Sequence, residues 1–121
     1  MSLFNQGKSA RIVSRGVICD TEDAVETLYT CPANCRAEIT MLFCVNANGT
    51  TTALAKWVRA SDSAEFRLIG GKNLSLGENV LLTGATLVLE PGDTIKCIAS
   101  SNASPELDFM CTVVETLIPV G

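Results

Sequence analysis

The 121-residue chain predicts an all-β fold, an antiparallel β-sandwich of jelly-roll or immunoglobulin-like type with eight or nine strands. Three observations carry this. Apolar segments are short and separated by turn signals, as in sandwiches and barrels. No helical stripe of useful length occurs. One long segment alternates apolar and polar residues with the period of a strand.

The elements follow in order. Residues 1–9, "MSLFNQGKS", carry no periodicity and read as an extended arm ahead of a single domain over 10–121. "ARIVSRGVIC" (10–19) is the first strand. "TEDAVETLYT" offers Thr21 as a cap with Ala24, Val25 and Leu28 helically spaced. A strand follows at once (25–31), so one helical turn is the most expected there. "RAEITMLFCVN" (36–46) alternates, placing Ala37, Ile39, Met41, Phe43 and Val45 on one face and Leu42 and Cys44 on the other.

Asn48-Gly49 then predicts a hairpin, because both residues tolerate positive φ. The returning partner strand is 51–59. "EFRLIG" (65–70) is short, and Gly70-Gly71 turns the chain. Strands follow at 74–84 and 85–90. "EPGD" (90–93) has the composition of a type II turn, with Pro91 fixing φ and Gly92 supplying positive φ. Strands 94–100 and 107–118 complete the set. The expected core is Ile39, Met41, Phe43, Ile95, Cys97, Leu107, Phe109 and Val113. Burial of Phe43 sets an expected cost of about 3–5 kcal/mol for Phe43→Ala.

Composition narrows function. Hydrophobic residues make up 47% and charged residues only 18%, with a mean hydropathy of +0.31. Disorder is excluded. So little charge suggests that neighbouring subunits cover part of the surface. The net charge is −4 and no basic run exists, which argues against a nucleic-acid partner. No apolar stretch is long enough for a membrane span. The N-terminal residues lack the order of a secretion signal, so folding in a reducing cytoplasm is expected.

That compartment bears on the six cysteines, Cys19, Cys31, Cys35, Cys44, Cys97 and Cys111. They are expected as reduced thiols. Cys31-x3-Cys35 is one acceptable zinc pair, but a second pair is missing and histidine is absent. Buried small hydrophobes are the better reading. Cys44, on the more polar face, is the exception to watch for reactivity. Without histidine the commonest general base is lost. The acid pairs Glu22/Asp23 and Glu90/Asp93 sit in turn-like sequence, where such residues solvate and cap. No enzyme activity and no cofactor are expected. Gly70-Gly71-Lys72 lacks the spacing of a phosphate loop. Trp57 alone is thin support for a carbohydrate platform.

The arm is the candidate partner-binding segment. Leu3 and Phe4 have no local core to join, while Lys8, Arg11 and Arg15 would steer it towards an acidic surface. It is expected to be disordered in isolation and ordered in an assembly.

"LYTCPANCRAEITMLFCVNANGTT", "LSLGENVLLTGATLVLEPGDTIKCIAS" and "LDFMCTVVE", taken in that order, resemble a family of small structural proteins of tailed bacteriophages. The shared features are a Tyr-Thr-x-Pro-Ala turn, an Arg-Ala strand ending in Asn-x-x-Gly, and a Leu-Glu-x-Gly-Asp turn before the penultimate strand. The resemblance spans residues 25–116 and leaves 1–24 unmatched. It implies a β-sandwich virion component with no catalytic motif. The leading expectation is a capsid decoration (cement) protein, made in the host cytoplasm and seated on the major capsid protein at the outer surface of the shell as a homotrimer. The alternative is a receptor- or glycan-binding module of the tail or fibre.

Overall fold

The computed structural model describes residues 10–119. Eight strands run through them: β1 Ala10–Cys19, β2 Glu26–Thr30, β3 Cys35–Asn46, β4 Thr51–Val58, β5 Glu65–Leu74, β6 Asn79–Leu89, β7 Thr94–Ser100 and β8 Leu107–Leu117. They form two antiparallel sheets, ordered β1-β8-β3-β6 and β2-β7-β4-β5. This interleaved order is the jelly-roll winding, in which every successive strand but one, β5 after β4, crosses to the other of two packed sheets. No helix occurs among the described residues. The expected helical turn at Thr21 is a simple turn, with the Ala24 N–H donating to the Thr21 carbonyl at 3.2 Å.

The core follows period two where strands run without interruption. In β7, Ile95, Cys97 and Ala99 are buried; in β8, Leu107, Phe109, Cys111 and Val113 are buried. Six of the eight expected core residues lie there or at Ile39. The other two, Met41 and Phe43, do not. The pairing of β3 shifts between Ile39 and Met41 against both of its neighbours, β6 and β8. Against β8, Thr40 is the extra residue, and its hydroxyl donates to the Thr112 carbonyl at 3.2 Å. A bulge of this kind exchanges the faces of everything after it. Leu42 and Cys44 therefore enter the core, and Met41 and Phe43 face outwards, half-buried.

Other corrections have the same kind of cause. The predicted hairpin at Asn48-Gly49 does not form: β3 and β4 lie in different sheets. Gly49 does take positive φ (61°), but the turn sends the chain across the sandwich. The buried Asn46 side chain fixes that crossing by donating to the carbonyls of Gly49 (2.6 Å) and Leu74 (2.9 Å). Gly70-Gly71 does not reverse the chain either. Gly71, at φ 85°, is the unpaired residue between Gly70↔Leu54 and Lys72↔Ala53. β5 thus runs on to Leu74, and the reversal comes at 75–78, where Gly77 has φ 82°. The two strands expected over 74–90 are one strand, β6, kinked at Gly84 (φ 83°). The expected 90–93 turn is present, with the Asp93 N–H donating to the Glu90 carbonyl at 3.0 Å and Gly92 at φ 86°.

Candidate assembly surface

The bulge at Thr40 shapes the outer face of the first sheet. On either side of it, outward positions pair in rows. Gly16, Met110, Phe43 and Leu81 form one row across all four strands. Ile12, Val114, Glu38 and Val88 form another; Ile18, Asp108, Val45 and Asn79 form a third. Ser14, Thr112, Met41 and Thr83 form a more polar row between them, but exposed apolar side chains recur in the other three, and Ile12 is 75% exposed. A surface of this kind usually meets a protein partner. One carboxylate oxygen of Asp108 lies within it, buried and without a hydrogen-bond partner.

The two long sides of the sandwich differ. β1 packs against β2 on one side. On the other, between the edge strands β5 and β6, a cleft of about 360 Å³ is lined by Ile39, Thr40, Met41, Leu68, Leu82 and Leu87. Leu82 faces inward by register, opposite Leu42, yet is an exposed side chain. Its neighbour Leu81 points to the outer face and is 54% exposed. The uncharged run of β6 is the sequence signal for this surface, and it gains meaning only once β6 stands at a sheet edge.

Of the predicted partner-binding residues, Leu3, Phe4 and Lys8 lie outside the described residues, as does the expected disorder of the arm. Arg15 is exposed, its guanidinium donating to the Ser14 carbonyl at 3.0 Å. Arg11 lies opposite Glu115 in the β1–β8 pairing, and its Nε donates to that carboxylate at 2.7 Å. Glu115 is 1% exposed and also accepts the Tyr29 hydroxyl proton at 2.5 Å. The three side chains tie β1 and β8 to β2 in the opposite sheet, so Arg11 has an internal partner. Burial, and then the Glu115 carboxylate, push the Tyr29 phenol well above its ordinary range.

A second polar tie closes one end. Buried Asp93 accepts from Trp57 Nε1 (3.1 Å) and from the backbone N–H groups of Ala60 (2.8 Å) and Glu90 (2.9 Å). The Trp57 ring leans on Phe66, with centroids 4.9 Å apart, and the Arg59 guanidinium lies 6.0 Å from its centre. Trp57 therefore caps the core and offers no open stacking platform.

All six cysteines are buried free thiols. Cys31 and Cys35 flank a turn in which the Cys35 N–H donates to the Pro32 carbonyl (3.1 Å) and the Cys31 thiol to the Cys35 carbonyl (3.3 Å). Among the described residues no group of side chains is arranged to hold a metal ion. Cys44, expected on a polar face, is buried, and burial pushes its thiol up to about 12. Burial likewise raises Cys19 to about 12 and Cys31 and Cys111 to about 11. Such thiols stay protonated and poorly nucleophilic at neutral pH. With folded values raised above the ordinary one, the neutral thiol adds stability below about pH 8.5, and this is lost as pH rises towards 11–12. Denaturant midpoints should hold from neutral pH to about pH 8.5 and fall progressively from there towards pH 11–12. At neutral pH a disulfide exchange reagent should label none of the six quickly and all six after denaturation. Fast labelling of Cys44 in the native state would contradict the observed register of β3.

No family model matches the chain, and no curated protein matches it. Solved structures do. A protein of Bacillus endospore appendages, described as disulfide-linked pili, aligns over 98% of this chain and 98% of its own length at 11% identity, with a TM-score of 0.54. A chain from the capsid of Helicobacter pylori bacteriophage KHP30 aligns over 89% of this chain and 93% of its own at 10% identity, TM-score 0.55. A chain of infectious bursal disease virus, strain Gx, aligns at 9% identity and TM-score 0.52; it covers 97% of this chain, which spans only 37% of that longer one. At these identities the likeness establishes the jelly-roll fold.

Proposed function

We propose that the chain is a non-enzymatic structural subunit of a tailed-bacteriophage virion, most concretely a decoration protein. In this reading it docks as a trimer on the outer surface of the major capsid protein shell and stabilises it. The observation that carries this is the set of exposed apolar side chains on the outer face of the β1-β8-β3-β6 sheet. A chain with 18% charged residues keeps Ile12, Ile18, Leu81 and Val88 exposed there, which suits a subunit whose surface is covered on assembly. The ordered motifs over residues 25–116 support a phage source. A whole-length jelly-roll likeness to a phage capsid chain supports the architecture. Leu3 and Phe4 of the arm add an apolar anchor. Lys8 and Arg15 supply the salt-sensitive steering, since Arg11 is engaged by Glu115.

Purified chain added to phage particles stripped of it should bind saturably, in fixed proportion to the shell subunit, and raise the temperature at which particles release DNA. Removing residues 1–9 should leave the fold intact and lower occupancy at matched concentration and salt. No saturable binding would refute the shell reading. Full occupancy by the truncated chain would show that docking rests on the sandwich alone.

A further inference from the structure

We propose that β6 is a self-pairing edge, through which two copies of this chain join their first sheets into one continuous sheet across a two-fold axis. Edge strands present unpaired backbone groups and are ordinarily protected by charge, proline or short length. Three of the four edges here are protected. β1 carries Arg11 and Arg15; β2 has five residues including Glu26; β5 carries Glu65, Arg67 and Lys72. β6 runs for 11 residues, "NVLLTGATLVL", without a charge or a proline. Its kink at Gly84 leaves a regular stretch, Asn79–Thr83, paired residue by residue with Val45–Met41.

That stretch is palindromic in character. In an antiparallel pair centred on Leu81, Leu81 faces Leu81 of the second copy, Val80 faces Leu82, and Asn79 faces Thr83. Apolar meets apolar and polar meets polar at every position, and residues directly opposite share a face. The second copy's β6 is the occupant these observations select. Docking β1 or β5 there would set Arg or Lys against leucine with no carboxylate on β6 to receive it. The exposed leucines 81 and 82 would both be covered, one on the outer face and one at the mouth of the cleft. Such contacts are isologous and close on themselves. A five-residue pairing is small beside the roughly 1,200–2,000 Å² of stable complexes, so the contact is weak alone and gains strength among many copies.

This inference names one contact inside the proposed assembly, a two-fold contact distinct from that of the trimer and joining copies of neighbouring trimers, and rests on that reading. It is tested on the full-length chain. Leu81→Cys should give a disulfide-linked dimer under mild oxidation, cleanly, because the six native thiols are buried. Leu76→Cys, still more exposed in the loop before β6, should not. By sedimentation equilibrium at sub-millimolar concentration, Asn79→Lys with Thr83→Lys should weaken the wild-type dimer at least about tenfold, since lysines then face each other twice. Asn79→Lys with Thr83→Glu places opposite charges at the same positions and should restore it. A wild-type monomer at the highest soluble concentration would overturn the proposal. So would equal dimerisation of the two double variants, or loss of the dimer on removing residues 1–9 alone, which would make the arm the occupant. Particle binding retained by a chain that never dimerises would overturn the edge contact and leave the shell reading standing.

Discussion

Replacing Glu115 with alanine should cost the fold about 3–5 kcal/mol, the loss expected when one member of a buried charged pair is removed. Glu115 is buried inside the sandwich and receives Arg11 from β1 and Tyr29 from β2. Its removal strands the Tyr29 hydroxyl in the core, which alone costs about 1–3 kcal/mol, and releases the clamp between the sheets where β1 meets β2. Glu115→Gln keeps the shape and an acceptor for Tyr29 but loses the ion pair, so a smaller cost of about 1.5–3 kcal/mol is expected. Urea denaturation reads both, as a fall in midpoint at unchanged slope. A cost under about 1 kcal/mol for the alanine variant would mean that the triad does not tie the sheets.

Phe109→Ala should cost a similar amount, about 3–5 kcal/mol, because the ring is fully buried near the start of β8 and its removal leaves a cavity in the core. Phe43→Ala should cost much less, about 1 kcal/mol, since Phe43 is half-buried on the outer face. The two variants together test the bulge at Thr40. Equal costs would restore the simple alternation read from the sequence and contradict the observed register.

Where strands run without irregularity, the sequence was readable. β7 and β8 alternate cleanly, and Ile95, Cys97, Leu107, Phe109 and Val113 are buried as their spacing implies. The errors cluster at glycines and at one threonine. A glycine with positive φ serves a turn or a bulge equally well, and local sequence does not separate them; Gly71 and Gly84 are bulges, whereas Gly92 is a turn. Thr40 carries no sign of its own. Its bulge becomes visible only when β6, β3 and β8 are laid side by side. Asn48-Gly49 carries a hairpin signal, but that local signal cannot say in which sheet the next strand lies.

The candidate surface was legible only in part. Low charge announced that some face would be covered, but which face depended on the sheet order. Leu81 and Leu82 became candidates once β6 stood at an edge. Arg11 looked like a surface cation because its partner, Glu115, is remote in sequence and meets it only through the β1–β8 pairing.

The most direct measurement is the copy number of this chain in purified phage particles, by quantitative mass spectrometry against the major capsid protein. A decoration subunit should be present in a fixed, simple ratio to the shell subunit and be lost together with shell stability on mild stripping. A few copies per particle, co-purifying with tails, would contradict the shell role and favour a tail or fibre module; absence from particles would contradict a virion role altogether.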